Sequence, residues 1–152
     1  MPLEGNVDLT IRLAQPDDAA MLAQLMCELG YETTKAEMQM RLERIATDEH
    51  YRTFVAVSGC TVCGMIGTFV YYSYEHNDMS GRILVLVTSS TERRRGVGRA
   101  LMATAEKDFA RKGITRVALN TMLTREDARA FYESLGYNQN GWRFVKQFPV
   151  SD

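Results

Sequence analysis

Five aliphatic residues in a row, Ile83-Leu84-Val85-Leu86-Val87, sit between Arg82 and Thr88 without a polar break. The run is strand-sized, and apolar side chains on both of its faces call for cover from both sides. That points to an α/β chain in which a mixed sheet carries helices above and below. The flanking patterns agree with it. Val7 to Leu13 alternates apolar and polar residues, as a half-buried strand does. Tyr51 to Val57 and Val62 to Tyr74 read as strands joined by a turn at Ser58-Gly59, and Arg116 to Asn120 and Arg143 to Phe148 as two more.

Helices fill the intervals. Pro16-Asp17-Asp18 opens the first, with Ala19, Leu22, Met26 and Leu29 as its buried stripe and Gly30 as its stop. Thr34 and Glu37 match a capping box ahead of Met38, Leu42 and Ile45. From Gly96 to Lys112, the residues Val97, Leu101, Ala105 and Phe109 recur at every fourth position, and Gly113 ends the helix. Thr124 and Asp127 cap the last, which presents Ala128, Phe131, Tyr132 and Leu135 and stops at Gly136. The expected order is β-α-α-β-β-β-α-β-α-β.

A chain of 152 residues suits one domain, here 1–152 with a core over about 7–148. Its net charge of -1 leaves no cationic excess for a phosphate backbone, so a nucleic-acid partner is not expected. No run approaches the ~18 apolar residues of a membrane span. The start, Met1-Pro2-Leu3-Glu4-Gly5-Asn6, lacks a basic and apolar leader, so the expected compartment is the cytoplasm. Cys60 and Cys63 form one CxxC with no second pair, and neither His50 nor His76 has ligand spacing to it. A closed zinc site wants four such ligands, so no metal is expected, and the pair reads as part of a hairpin. Cys27 falls on an apolar helical pattern and is expected in the core.

The chemistry lies in Arg93-Arg94-Arg95-Gly96-Val97-Gly98-Arg99, between the most apolar strand and an amphipathic helix. Glycines at a helix start let a ligand approach the backbone, and first-turn amides with the helix dipole favour an anion. Arg93, Arg94, Arg95 and Arg99 add positive charge against Glu92 alone. A phosphate or pyrophosphate cradle is the physical expectation. The dinucleotide fingerprint is not met, because Leu101 stands where that pattern wants Gly or Ala, and no Gly-Lys-Ser/Thr follows for a Walker loop.

Further on comes Ala128-Arg129-Ala130-Phe131-Tyr132-Glu133-Ser134-Leu135-Gly136-Tyr137. With Arg93-x-x-Gly96-x-Gly98 before it, and Ile11-Arg12-x-Ala14-x-x-x-Asp18 at the start, the chain resembles the GNAT superfamily of N-acetyltransferases. The resemblance covers most of the chain. It implies the acyl-CoA N-acyltransferase fold and acetyl-CoA as donor, with the acetyl group passing to a primary amine of a small molecule by direct attack in a ternary complex. The layout, including Trp142-Arg143-Phe144-Val145-Lys146, is also loosely similar to aminoalkylphosphonate N-acetyltransferases. Two alternatives stand beside it: acetylation of protein N-termini or lysines, and a non-catalytic acyl-CoA-binding module. A homodimer through the last strands is compatible with the resemblance.

The resemblance further implies that the strand before the loop splays from its parallel neighbour. Main-chain groups of Leu86, Val87 and Thr88 would then pair with the pantetheine. The segment Arg93, Arg94, Arg95, Gly96, Val97, Gly98 and Arg99 would hold the pyrophosphate. Phe131 and Asn120 would add CoA contacts, and Tyr132 would donate to the departing thiolate. A phenol titrates near ~10, above a thiol near ~8.5, so it is a protonated donor at neutral pH. Many members carry an acid near positions 84 and 85; here these are Leu84 and Val85. Glu75, His76 and Asp78 are the candidates for taking up the amine proton, or a water chain does so. The acceptor cleft is expected between the first two helices and the segment near 74, with Tyr31, Glu32, Tyr71, Tyr72, Tyr74, Met38 and Met40 as candidate lining.

Overall fold

The computed structural model describes residues 8–92, 96–121 and 126–150. The elements are β1 (Leu9–Leu13), α1 (Ala19–Leu29), α2 (Lys35–Ala46), β2 (Tyr51–Ser58), β3 (Thr61–Tyr72), β4 (Met79–Thr88), α3 (Val97–Arg111), β5 (Val117–Leu119) and α4 (Glu126–Ser134). One compact unit runs to Ala118 and a second starts at Leu119. The sheet order is β1-β2-β3-β4-β5. The first four strands pair antiparallel. β4 reaches β5 through the crossover helix α3, the connection a parallel pair needs.

The expected final strand does not form. Residues 138–150 carry no regular structure and are exposed throughout. A strand needs a ladder for its amides and carbonyls, and among the described residues no strand pairs with Arg143 to Phe148.

The helix boundaries follow local chemistry. Thr34 and Glu37 exchange side chain-to-backbone bonds of 3.1 and 2.9 Å, which completes the capping box of α2. α1 ends at Gly30, left-handed at φ 114°, where Tyr31 N–H donates to the Met26 carbonyl at 2.9 Å. Cys27 is exposed, contrary to the core expectation. Its sulfur lies 3.4 Å from the Thr33 amide and 3.5 Å from the Thr33 carbonyl, so it ties the α1–α2 connection.

The sheet is covered on both faces because β3 alternates. Met65 packs into a cluster with Leu22 and Leu25 of α1 and Met38 of α2. Gly64, its neighbour, faces the other way. A Cβ there would stand 2.9 Å from Val97 and 3.0 Å from Leu101, both of α3. Gly81 of β4 makes the same allowance, since a Cβ would meet the Phe109 ring at 2.7 Å. The whole expected stripe of α3, Val97, Leu101, Ala105 and Phe109, is buried. Two side-chain-free positions in the sheet thus let α3 lie flush on it, which sets where its N-terminus ends up.

The entry to α1 is held by an ion pair between a buried carboxylate and a partly exposed guanidinium. Arg12 grips Asp18 at 2.8 and 3.0 Å, and the Gln15 amide donates to the same carboxylate at 2.7 Å. Arg12, with that amide, keeps the Asp18 carboxyl below its ordinary 3.8. A depressed folded value means that this contribution is whole above the unfolded pKa and is lost as pH falls through the lower folded one. Asp18→Asn is expected to cost about 1.5–3 kcal/mol at neutral pH, the range for a charged hydrogen bond with a partly exposed partner. The gap to the parent should shrink below pH 3.8. Urea unfolding of both proteins at neutral and acid pH measures it; a gap that does not change with pH would contradict the assignment.

Candidate active site

β4 carries an irregularity at its centre. Gly67 of β3 stands opposite Val85, but the next residue, Thr68, stands opposite Ile83. Leu84 is therefore surplus to the ladder, a β-bulge. Gly81 lies on the α3 face, and strict alternation would keep Val85 and Val87 there too. Instead both pack with the α1–α2 cluster, because the extra residue reverses the facing. The expectation of a strand covered on both faces fails at Leu84, which is exposed for the same reason.

Beyond the bulge come the predicted main-chain contacts. Leu86 and Thr88 are half-buried and Val87 is buried, opposite Ile66, Gly64 and Met65 respectively. Gly64 is the meeting point: a Cβ there would also approach the Val87 carbonyl at 3.3 Å, next to its contact with Val97. The end of β4 and the start of α3 are thereby brought together. β5 is already over at Leu119, so β4 outruns its neighbour.

Arg93, Arg94 and Arg95 lie outside the described residues. Gly96 is the N-cap of α3 and is left-handed at φ 79°, where a side chain is strained. The Gly96 carbonyl accepts the first helical bond, from Ala100 at 2.9 Å. The Val97 and Gly98 amides thus belong to the helix start, where no intrahelical acceptor exists. The Arg99 side chain is exposed on the same turn. The arrangement fits a diphosphate: outward amides, the positive end of a 15-residue helix, and a cation.

In the second unit, Tyr132 is half-buried on α4. The helix ends in a Schellman turn. Gly136 is left-handed at φ 94°, Gly136 N–H donates to Glu133 at 3.0 Å, and Tyr137 N–H reaches the Tyr132 carbonyl at 3.1 Å. The Tyr137 ring meets Tyr132 edge-on at 6.2 Å and Phe131 does so at 5.3 Å. The spacing Phe-Tyr-x-x-x-Gly-Tyr is thus a device for holding one phenol between two rings. The caps predicted at Thr124 and Asp127 involve a residue, Thr124, outside the described range. Asn120 is exposed beyond β5.

The candidates for proton uptake fare unevenly. Asp78 is bound by Arg116 at 2.7 Å, which holds its carboxyl below the usual range and makes it a weak base. Glu75 and His76 are exposed. Among the described residues no group of three His, Cys, Asp or Glu could hold a metal, and no helix is long and apolar enough to cross a membrane.

A cavity of about 160 Å³ opens on the α1–α2 face of the sheet. Leu84 and Val85, the two bulge residues, line it together with Met65 and Gly67 of β3 and Tyr51 and Thr53 of β2. Met26 of α1 and Met38, Arg41, Leu42 and Ile45 of α2 close it. Of the lining expected from sequence, only Met38 is present. Tyr74 falls beyond the end of β3 and is fully exposed, so it does not share a strand face with Tyr72. Tyr71 is engaged with Phe69, ring centroids 5.8 Å apart. Tyr31, Tyr72 and Met40 are exposed. The residues that sequence reading missed, Tyr51, Thr53 and Arg41, carry no motif; their convergence depends on the strand register.

The model of the acetyltransferase (GNAT) family matches residues 19–137, across the bulge strand, the α3 start and α4. The chain belongs to the GNAT acetyltransferase family. It is similar to the uncharacterized N-acetyltransferase YhdJ of Bacillus subtilis (strain 168), 29% identical over 140 residues that cover 91% of this chain and 94% of that one. A GNAT family acetyltransferase of Staphylococcus aureus superposes with a TM-score of 0.80 at 27% identity, covering 92% of this chain and 98% of the other. The fold is shared with aminoglycoside N-acetyltransferase AAC(6')-Iy in complex with CoA, TM-score 0.82 at 16% identity over 95% and 97% of the two chains. This GNAT protein is an acetyl-transfer enzyme of mixed α/β fold, as its motifs led us to expect.

Proposed function

We propose that residues 1–152 work as one cytoplasmic N-acetyltransferase domain that moves the acetyl group of acetyl-CoA to a primary amine of a small molecule. The observation that carries the reading is the left-handed Gly96 at the start of α3, seated through Gly64 against the end of β4. Outward amides next to an open strand end suit a diphosphate continuing into an amide-bearing arm, which describes coenzyme A. Arg93, Arg94, Arg95 and Arg99 supply charge for the phosphates, with Asn120 and Phe131 as further CoA contacts. Main-chain groups of Leu86, Val87 and Thr88 pair with the arm, and an amide of this strand polarises the thioester carbonyl.

In the reaction the amine nitrogen attacks the thioester carbon. A C–N bond forms, the C–S bond breaks, and the nitrogen gives up a proton while the sulfur gains one. Tyr132, held between Phe131 and Tyr137, supplies the proton to the departing sulfur. The cavity beside Leu84 and Val85 is the acceptor site. Its small volume, about 160 Å³, and apolar lining support a small molecule over a peptide segment. The structurally similar aminoglycoside N-acetyltransferase acts in the same direction as support, as an enzyme for small amines.

Calorimetry with CoA, followed by thiol release from acetyl-CoA against aminoglycosides, polyamines, aminoalkylphosphonates and amino acids, tests the reading. Saturable CoA binding and amine-dependent release are expected. Absence of any heat of binding would overturn it.

A further inference from the structure

We infer that the acceptor is a monoamine on an apolar body about the size of a benzene ring, and that it enters the cavity as the free base. The inference rests on the proposed acetyl transfer and narrows its acceptor. Among the described residues no Asp or Glu lines the cavity. Its titratable groups are Arg41 from α2 and Tyr51 and Arg52 from β2; α1, β3 and β4 contribute none. The Arg52 guanidinium is directed to the opposite face, 3.3 Å from the Asp108 carboxylate of α3. Arg41 donates to the Thr33 hydroxyl at 3.1 Å and sets a positive charge at the rim, with the Glu37 carboxylate one turn earlier on α2 outside the lining.

Such a site works against cations twice. Low polarity disfavours a charged amine without a partner, and Arg41 repels it. A polycationic acceptor such as an aminoglycoside would bring several ammonium groups and find no carboxylate to pair with. The size argument is direct: a cavity near ~150 Å³ holds one benzene, and this one measures about 160 Å³. Leu84 and Val85 at the reacting end then take on a meaning. A chain with no carboxylate there does not deprotonate its acceptor but selects the molecules that have already lost the proton to bulk water. For an alkylamine of pKa ~10.4 these are roughly one in two thousand at pH 7. The attacking nitrogen passes its remaining surplus proton toward the sulfur, so the balance is one amide, one CoA thiol and one proton released to solvent.

The experiment is a pH series of kcat/KM, by thiol release, with 2-phenylethylamine, its less basic 2,2-difluoro analogue, and kanamycin. For the two phenyl amines log kcat/KM should rise with unit slope and level off at each amine's own solution pKa, so that the break moves with the acceptor. Kanamycin should be at least tenfold poorer at every pH. Leu42→Trp, which fills the cavity from α2, should lower kcat/KM for 2-phenylethylamine at least tenfold while calorimetric CoA affinity stays within twofold. A break at one pH shared by both phenyl amines, a preference for kanamycin, or an unaffected Leu42→Trp enzyme overturns the inference and leaves acetyl transfer standing. No thiol release with any of the three amines, although CoA binds, overturns both.

Discussion

Tyr132→Phe is expected to lower kcat at least tenfold with little change in CoA affinity. The phenol is proposed to donate to the leaving sulfur, and general-acid contributions run from about 10²-fold upward, some of which water can replace. Phenylalanine keeps the ring, and with it both edge-on contacts, to Phe131 and Tyr137. The Schellman turn at Gly136 is made of backbone bonds and does not need the hydroxyl. The fold should therefore survive, and calorimetry with CoA should report an affinity near that of the parent. Single-turnover acetyl transfer is the decisive measurement, because it isolates chemistry from product release. An unchanged rate there removes Tyr132 from the mechanism.

Gly96→Val should act on the opposite side of the ledger, raising the Kd for CoA by tenfold or more. Gly96 sits at φ 79°, and a left-handed conformation costs an ordinary residue roughly 1–2 kcal/mol, more when it is β-branched. Among the described residues no atom lies within 4 Å of the missing Cβ, so the left-handed backbone is what a side chain would strain. The expected route is a rotation of the peptides that aim the first-turn amides of α3. Calorimetry with CoA and with a pantetheine fragment lacking the diphosphate separates the causes. The variant should lose affinity for the first and bind the second as before. Equal losses for both would mean that the turn does not hold the diphosphate.

Local chemistry made most of the elements readable. Gly30, Gly113 and Gly136 stop helices because each adopts a positive φ that the chain needs there. The four-residue stripe of α3 is buried along its length, and Thr34 with Glu37 builds the cap of α2 from neighbours in sequence. The bulge was not readable in the same way. Nothing in Ile83-Leu84-Val85-Leu86-Val87 marks one residue as surplus; that depends on where β3 pairs. The acceptor cavity inherits the same difficulty, since it draws on two helices and three strands. Arg143 to Phe148 shows the converse, a strand-sized segment with aromatic and β-branched residues but without a partner to make it a strand. Cys27 and Tyr74 each failed for a local reason, one lying off the buried arc of α1 and the other past the end of β3.

The surplus residue in β4 has a consequence for how this enzyme can change. Parity along the strand is reversed at Leu84, so losing one residue there would swap the sides of Val85 through Thr88 and carry Val87 out of the α1–α2 cluster to the α3 face. Variation in strand length is closed off. Exchange of the Leu84 side chain is not, because it projects from the ladder and supports no packed layer. Acceptor preference in close kin should accordingly drift through the identity of that one position, with the length around it held constant.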